Sequence, residues 1–162
     1  MKIEYRHGDV LSTDVTHIVH GCNSHGVMGS GVAKMVRAKY PVAYQRYVDE
    51  YNCVGLKLGT VIPSIQPDGK VIYNAITQQD YGTNKNVVYN SIVQQDYGTS
   101  KNVVYVSYWA IAEAFRRIDS ANIKKIALPM IGAGLANGDW NVISAIIENT
   151  LTRTLPVVYI YE

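Results

Sequence analysis

Twice in this chain a short β-branched run breaks into a cluster of glycines and then resumes as an apolar stripe at helical spacing. Residues 17–21 (His-Ile-Val-His-Gly) lead into Cys22-Asn23-Ser24-His25-Gly26-Val27-Met28-Gly29-Ser30-Gly31, after which Val32, Met35, Val36 and Tyr40 recur one helical turn apart. Residues 124–129 (Lys-Lys-Ile-Ala-Leu-Pro) lead into Met130-Ile131-Gly132-Ala133-Gly134-Leu135-Ala136-Asn137-Gly138-Asp139, and then into a stripe of Trp140, Ile143, Ile147 and Leu151. A buried strand, a glycine turn and a helix in immediate succession belong to an α/β fold.

Glycine admits positive φ and lets a ligand approach the backbone with no Cβ in the way. The first turn of the helix beyond then offers unpaired N–H groups to an anion. Two such cradles suit two linked phosphates, Gly29, Ser30 and Gly31 supplying one and Gly132, Ala133 and Gly134 with Gly138 the other. The alternative is that these glycines only form tight strand-to-helix turns. No Gly-Lys-Ser/Thr triplet occurs, and Gly26-Val27-Met28-Gly29 does not fit the dinucleotide fingerprint.

The remaining elements fill in around this pair. Residues 2–6 alternate as a first strand, and residues 42–51 extend a second helix beyond Pro41. Residues 60–65 and 70–76 flank Pro67-Asp68-Gly69-Lys70 as a hairpin. Val104, Tyr108, Ile111, Ala112 and Phe115 mark a further helix ending near Ser120, and residues 157–161 close the chain as a strand. The expected architecture is a single α/β domain over residues 1–162, a three-layer α/β/α sandwich around a mixed sheet.

Residues 74–89 recur in tandem as residues 90–105, identical at 13 of 16 positions. Solenoids need about three or more repeats of longer period, so the pair reads as a local duplication inside one domain. Its expected consequence is a monomer, or a dimer formed by strand exchange.

Composition narrows the function. With 15 basic and 13 acidic residues the net charge is only +2, and no Lys/Arg block marks a nucleic-acid track. No stretch approaches the ~18 apolar residues of a membrane span. Two cysteines, Cys22 and Cys53, make no disulfide framework and suit a reducing compartment, so a soluble cytoplasmic protein is expected. His20, Cys22 and His25 lack an apparent fourth metal ligand, and neither a metal nor a cofactor is expected.

Gly8-Asp9-Val10, His20-Gly21-Cys22-Asn23, Met28-Gly29-Ser30-Gly31-Val32-Ala33 and Pro129-Met130-Ile131-Gly132-Ala133-Gly134-Leu135 resemble, in order and spacing, the motifs of macrodomains. The branch they resemble holds terminal ADP-ribose glycohydrolases and ADP-ribose 1''-phosphate phosphatases, including phage versions. The resemblance implies a cleft for ADP-ribose or its 1''-phosphate. In it Asp9 would accept a hydrogen bond from the adenine amino group, Tyr161 would pack near adenine, Asn23 would face the distal ribose, and Gly29, Ser30, Gly31 and Val32 with Gly132, Ala133, Gly134 and Leu135 would hold the two phosphates. Without the resemblance, Asp9 reads as a turn former, Asn23 as a loop cap and Tyr161 as a core aromatic.

The chain departs from the glycohydrolase pattern at two positions. Gln78 stands where that branch has lysine and Ala136 where it has aspartate, and neither amide nor methyl supplies a nucleophile or a general base. His25, Asp139, Asp80 or Asp96, and the Asn23 amide remain as candidates for the chemistry of a metal-free phosphatase that orients a water, with His25 and Asp139 taken as the catalytic pair. His25 reads equally as an exposed loop histidine, and Asp139 as the N-cap of the helix it precedes. The leading expectation is an ADP-ribose 1''-phosphate phosphatase; the alternative is a non-catalytic reader or sponge for ADP-ribose.

Overall fold

The structure, a computed structural model, describes residues 1–79 and 103–161, together with the backbone of two short strands between them. Most of copy one beyond Gln79 and of copy two before Val103, with Asp80 and Asp96, lies outside the described residues.

Six strands form the main sheet, in the order β1-β8-β7-β2-β4-β3. They are β1 (Glu4–His7), β2 (His17–Asn23), β3 (Val61–Ile65), β4 (Val71–Gln78), β7 (Lys125–Leu128) and β8 (Leu155–Ile160). All neighbours are parallel except β3, which pairs antiparallel with β4 through the hairpin expected at Pro67–Lys70. β5 (Val88–Tyr89) and β6 (Ile92–Val93) pair only with each other. The helices are α1 (Gly31–Lys39), α2 (Pro41–Cys53), α3 (Tyr108–Ser120) and α4 (Trp140–Thr150).

Strand alternation sorts the core into two layers. Val19, Ala75, Ile126, Leu128 and Val158 pack on α3 and α4 with Ile111, Phe115, Ile143 and Ile147. Their neighbours Ile18, Ile72, Ala127 and Val157 face the other way, toward Val36, Tyr40 and Ala43 of α1 and α2. The fold is therefore the expected α/β/α sandwich. Both faces of the central strands are covered, which is why they read as continuous apolar runs.

Among the boundary shifts two stand out. The stripe that begins at Val104 is not helical at its start, and α3 begins only at Tyr108, because the Ser107 hydroxyl accepts a hydrogen bond from Ala110 N at 3.1 Å and fixes the helix there. The last strand ends at Ile160, leaving Tyr161 outside it and 71% exposed, so Tyr161 is not a core aromatic.

Candidate functional site

β2 hands its chain to α1 and α2 on one face, and the path returns to β4. β7 hands its chain to α4 on the other face, and the path returns to β8. The two connections diverge from adjacent parallel strands, so a crevice opens at their carboxyl ends, the place where α/β sheets hold ligands. A cleft of about 370 Å³ occupies it, lined by Gly29–Ala33 from the first loop, by Pro129–Ala136 (except Ala133) from the second, and by Gly21, Asn23 and Gln78 at the strand ends.

The two loops are built differently. In the first, Tyr47 of α2 is the hub: its buried hydroxyl accepts from Val27 N at 3.1 Å and lies 2.7 Å from Asn23 O and 2.9 Å from Asn23 Oδ1. Burial pushes the Tyr47 phenol well above its usual range, so it stays protonated and able to donate. Asn23 Oδ1 also accepts from His25 N, while Asn23 Nδ2 donates to Val27 O at 2.8 Å. Its side chain is both a cleft wall and the internal tie of the loop. α1 then starts at Gly31, which has φ +61°. Among the described residues the N–H groups of Gly31, Val32 and Ala33 have no acceptor, as expected of a first helical turn.

In the second loop the helix is not the donor. α4 starts six residues past Gly134 and is already capped, since Asp139 Oδ1 accepts from Asn141 N at 2.9 Å. The loop folds on itself through Ala133 N to Met130 O, Asn137 N to Gly134 O and Gly138 N to Gly132 O. These bonds leave the amides of Gly132, Gly134 and Leu135 without acceptors among the described residues. The cradle on this side is loop backbone, a correction to the expectation of two helix-terminal sites.

The glycines divide by what a Cβ would meet. At Gly132 (φ +78°) it would stand 2.8 Å from Val106, and at Gly138 2.5 Å from Gly132 O, so both are demanded by packing. At Gly134 it would meet nothing within 4 Å, and at Gly29 and Gly31 only a neighbouring methyl at 3.5 and 3.9 Å. These three open onto the cleft.

The other predicted residues fall into place as follows. Asp9 caps the 3-10 turn Val10–Ser12, its Oδ1 accepting from Leu11 N at 2.9 Å. It follows β1 directly, and Gly8 N donates to Ile160 O at 2.9 Å, so Asp9 and Tyr161 stand at the ends of neighbouring strands on the cleft's side of the sheet. Neither lines the cleft itself. His25 is exposed and also outside the lining, and Asp139 is exposed at the cap of α4. Gln78 and Ala136, the two departures from the glycohydrolase pattern, both line the cleft.

His20 is fully buried. Its Nε2 donates to Asn74 Oδ1 at 2.6 Å, and Asn74 Nδ2 donates to Ala43 O at 3.0 Å. Burial lowers its pKa to about 4. Cys22, its neighbour on the same strand face, is buried too, and burial drives its thiol far above the usual range. No cluster of three or more potential metal-binding side chains occurs among the described residues. No described helix is long and apolar enough to cross a membrane.

Sequence reasoning missed Tyr47. Its signal was present, because Tyr40, Ala43 and Tyr47 repeat at three- and four-residue spacing and all three are buried.

Known proteins share this arrangement. The chain is 26% identical to an ADP-ribose 1''-phosphate phosphatase of Meyerozyma guilliermondii, over 91% of this chain and 93% of that one. It is 25% identical to a DNA ADP-ribosyl glycohydrolase of Thermus aquaticus, over 99% of this chain but only 41% of that protein's length. The structure of a macrodomain protein from Streptomyces coelicolor superposes with a TM-score of 0.72 at 25% identity, covering 98% of each chain. The family model described as Macro domain matches residues 19–147, from the middle of β2 to the core of α4, and the chain belongs to that family.

Proposed function

We propose that the cleft binds ADP-ribose and ADP-ribose 1''-phosphate, and that the protein releases inorganic phosphate from the latter. The observation that carries the binding is the pair of opposed backbone cradles. The amides of Gly31, Val32 and Ala33 and those of Gly132, Gly134 and Leu135 flank one crevice with no acceptor among the described residues, and Gly29, Gly31 and Gly134 leave space for phosphate oxygens beside them. The ligand would lie along the carboxyl edge of the sheet. Strands are ~4.8 Å apart, so about 14 Å separates the end of β1 from that of β2. That spacing suits adenine beside Asp9 and Tyr161, the diphosphate between the loops and the distal ribose at Asn23. Asp9 offers adenine its Oδ2, since Oδ1 is taken by Leu11 N.

Hydrolysis requires a water to attack phosphorus while the P–O bond to the ribose breaks. Preorganised amides would take up the charge that develops on the phosphoryl oxygens. The name of the Meyerozyma relative supports this activity. A second reading, capture without hydrolysis, is favoured by one specific feature: no Lys, Arg, His, Asp or Glu stands among the described lining residues. Incubating pure protein with ADP-ribose 1''-phosphate and measuring phosphate separates the two. Release selects the phosphatase; tight binding without release selects the reader. Calorimetry should show micromolar ADP-ribose and far weaker AMP, and equal affinity for both would sink the two-cradle reading. Release of ADP-ribose from glutamate-linked protein is not expected, because Gln78 and Ala136 replace the reactive pair.

A further inference from the structure

Among the polar side chains that line the cleft, Ser30 is set apart by what it does not do. Asn23 is spent on Val27, His25 and Tyr47, and Cys22 is buried beneath the floor. The Ser30 hydroxyl makes no cap bond to α1, although Ser30 is that helix's N-cap, and it makes no other hydrogen bond among the described residues. The other N-cap side chains that could do so all close onto their helix or turn: Asp9 on Leu11 N, Ser107 on Ala110 N and Asp139 on Asn141 N. Ser30 sits in extended backbone (φ −152°, ψ 163°), half-buried in the cleft wall between two glycines. A serine that neither caps nor packs, placed where both neighbours lack side chains, offers its hydroxyl to whatever fills the cleft.

We infer that the Ser30 hydroxyl is a specificity-determining group that hydrogen-bonds the distal half of the ligand, the part beyond the phosphate attached to adenosine. The inference rests on the ADP-ribose reading. The direction follows from strand order: adenine sits over β1 and β8, the second loop follows β7, and Ser30 follows β2, the farthest of the four. A ligand that ends at its first phosphate does not reach it.

The test is Ser30→Ala, measured by calorimetry with ADP-ribose and AMP and by thermal unfolding without ligand. A hydrogen bond to a charged acceptor corresponds to a loss of about tenfold or more in ADP-ribose affinity. AMP affinity should stay unchanged. Because the hydroxyl makes no cap, Tm should also stay unchanged, whereas loss of a working N-cap lowers Tm by roughly 2–4 °C in a domain of this size. Unchanged ADP-ribose affinity, an equal loss for AMP, or a Tm drop of cap size would each overturn the inference. If the parent protein itself fails to bind ADP-ribose, the functional reading falls and this inference with it; if the parent binds and the variant binds equally, only the inference falls.

Discussion

Gly132 and Gly134 stand two positions apart and answer to different constraints. Gly132 has φ +78° and a Cβ position 2.8 Å from Val106, so Gly132→Ala should cost roughly 1–3 kcal/mol through backbone strain and overpacking. Gly134 has neither restriction. Gly134→Glu should therefore leave Tm nearly unchanged and abolish ADP-ribose binding, since its carboxylate would occupy and repel a phosphate position. Circular dichroism with calorimetry checks both; a folded Gly134→Glu variant that binds normally would remove the second loop from the site. Gly31→Glu is the poorer probe, because φ +61° strains any side chain there. His20 carries a different prediction. Its folded pKa of about 4 lies below the ordinary 6.5 because burial disfavours the charged form. The unfolded chain thus binds a proton that the folded one refuses between those values, and stability contributed above pH 6.5 is lost as pH falls toward 4. Between pH 7 and 5 the loss amounts to about 2 kcal/mol. Urea unfolding at the two pH values should show it, and His20→Gln should flatten the difference; an equal slope in the variant would acquit His20. The alternation of His20 within a strand already marked it as a core residue. Its partner Asn74, 54 positions away in sequence, was not legible, because parallel register is a property of the assembled sheet.

α4 shows how a helix start that looks functional can be structural. Asp139 precedes Trp140, and the same spacing suits an N-cap and a cleft carboxylate. The structure places its Oδ1 on Asn141 N, at an exposed position. Asp139→Ala should cost about 1 kcal/mol of stability and leave ADP-ribose binding intact. Phosphate release, if the parent shows it, should persist as well; a selective loss of release with stability unchanged would return Asp139 to a catalytic role. Elements built on local signals were legible: the hairpin from its Pro-Asp-Gly turn, the paired strands from β-branched runs, α4 from its apolar stripe. What failed lies where local and tertiary signals disagree. Val104 keeps helical spacing with Tyr108, yet residues 103–107 are not helical, with Tyr105 N and Val106 N bonded to Ala136 O and Gln78 bridged to Val106. That pairing reaches some 30 residues in each direction, and no local pattern reports it. The site was legible as two glycine loops. That one loop presents free amides from a helix and the other from its own backbone depends on the five residues between Gly134 and α4, whose turn hydrogen bonds composition does not reveal.

The duplicated segment bears on the whole molecule, because its two copies are anchored at opposite ends. Copy one begins inside β4, where Asn74, Ala75, Ile76 and Thr77 are buried and the first three pair with β2. Copy two ends at Val103 and Tyr105, which are buried against α3 and α4. Twenty-five residues, 78–102, therefore separate the two anchors, sixteen more than a single copy would place between them. The period is even, so exchanging one copy for the other keeps every strand residue on its own face of the sheet. Ile72-Tyr73-Asn74-Ala75-Ile76 and Val88-Tyr89-Asn90-Ser91-Ile92 are near-equivalent strands in that sense. The observed threading uses the first, whose hairpin turn is local and whose loop closes at least entropic cost. Deleting residues 78–93 joins Thr77 to Gln94, which restores glutamine at the position that lines the cleft and bridges to Val106. It also leaves the sequence Gln-Gln-Asp-Tyr-Gly-Thr-Ser-Lys-Asn running directly into Val103. The shortened chain should fold, match or exceed the parent in thermal stability because the connection to be closed is sixteen residues shorter, and bind ADP-ribose with parental affinity. It should also lose any dimer formed by exchanging copies, which size-exclusion chromatography would show as a single monomeric species. A deletion variant that is unfolded, or folded but unable to bind, would mean that the extra copy belongs to the core or to the cleft, and the reading of it as an insertion would have to be abandoned.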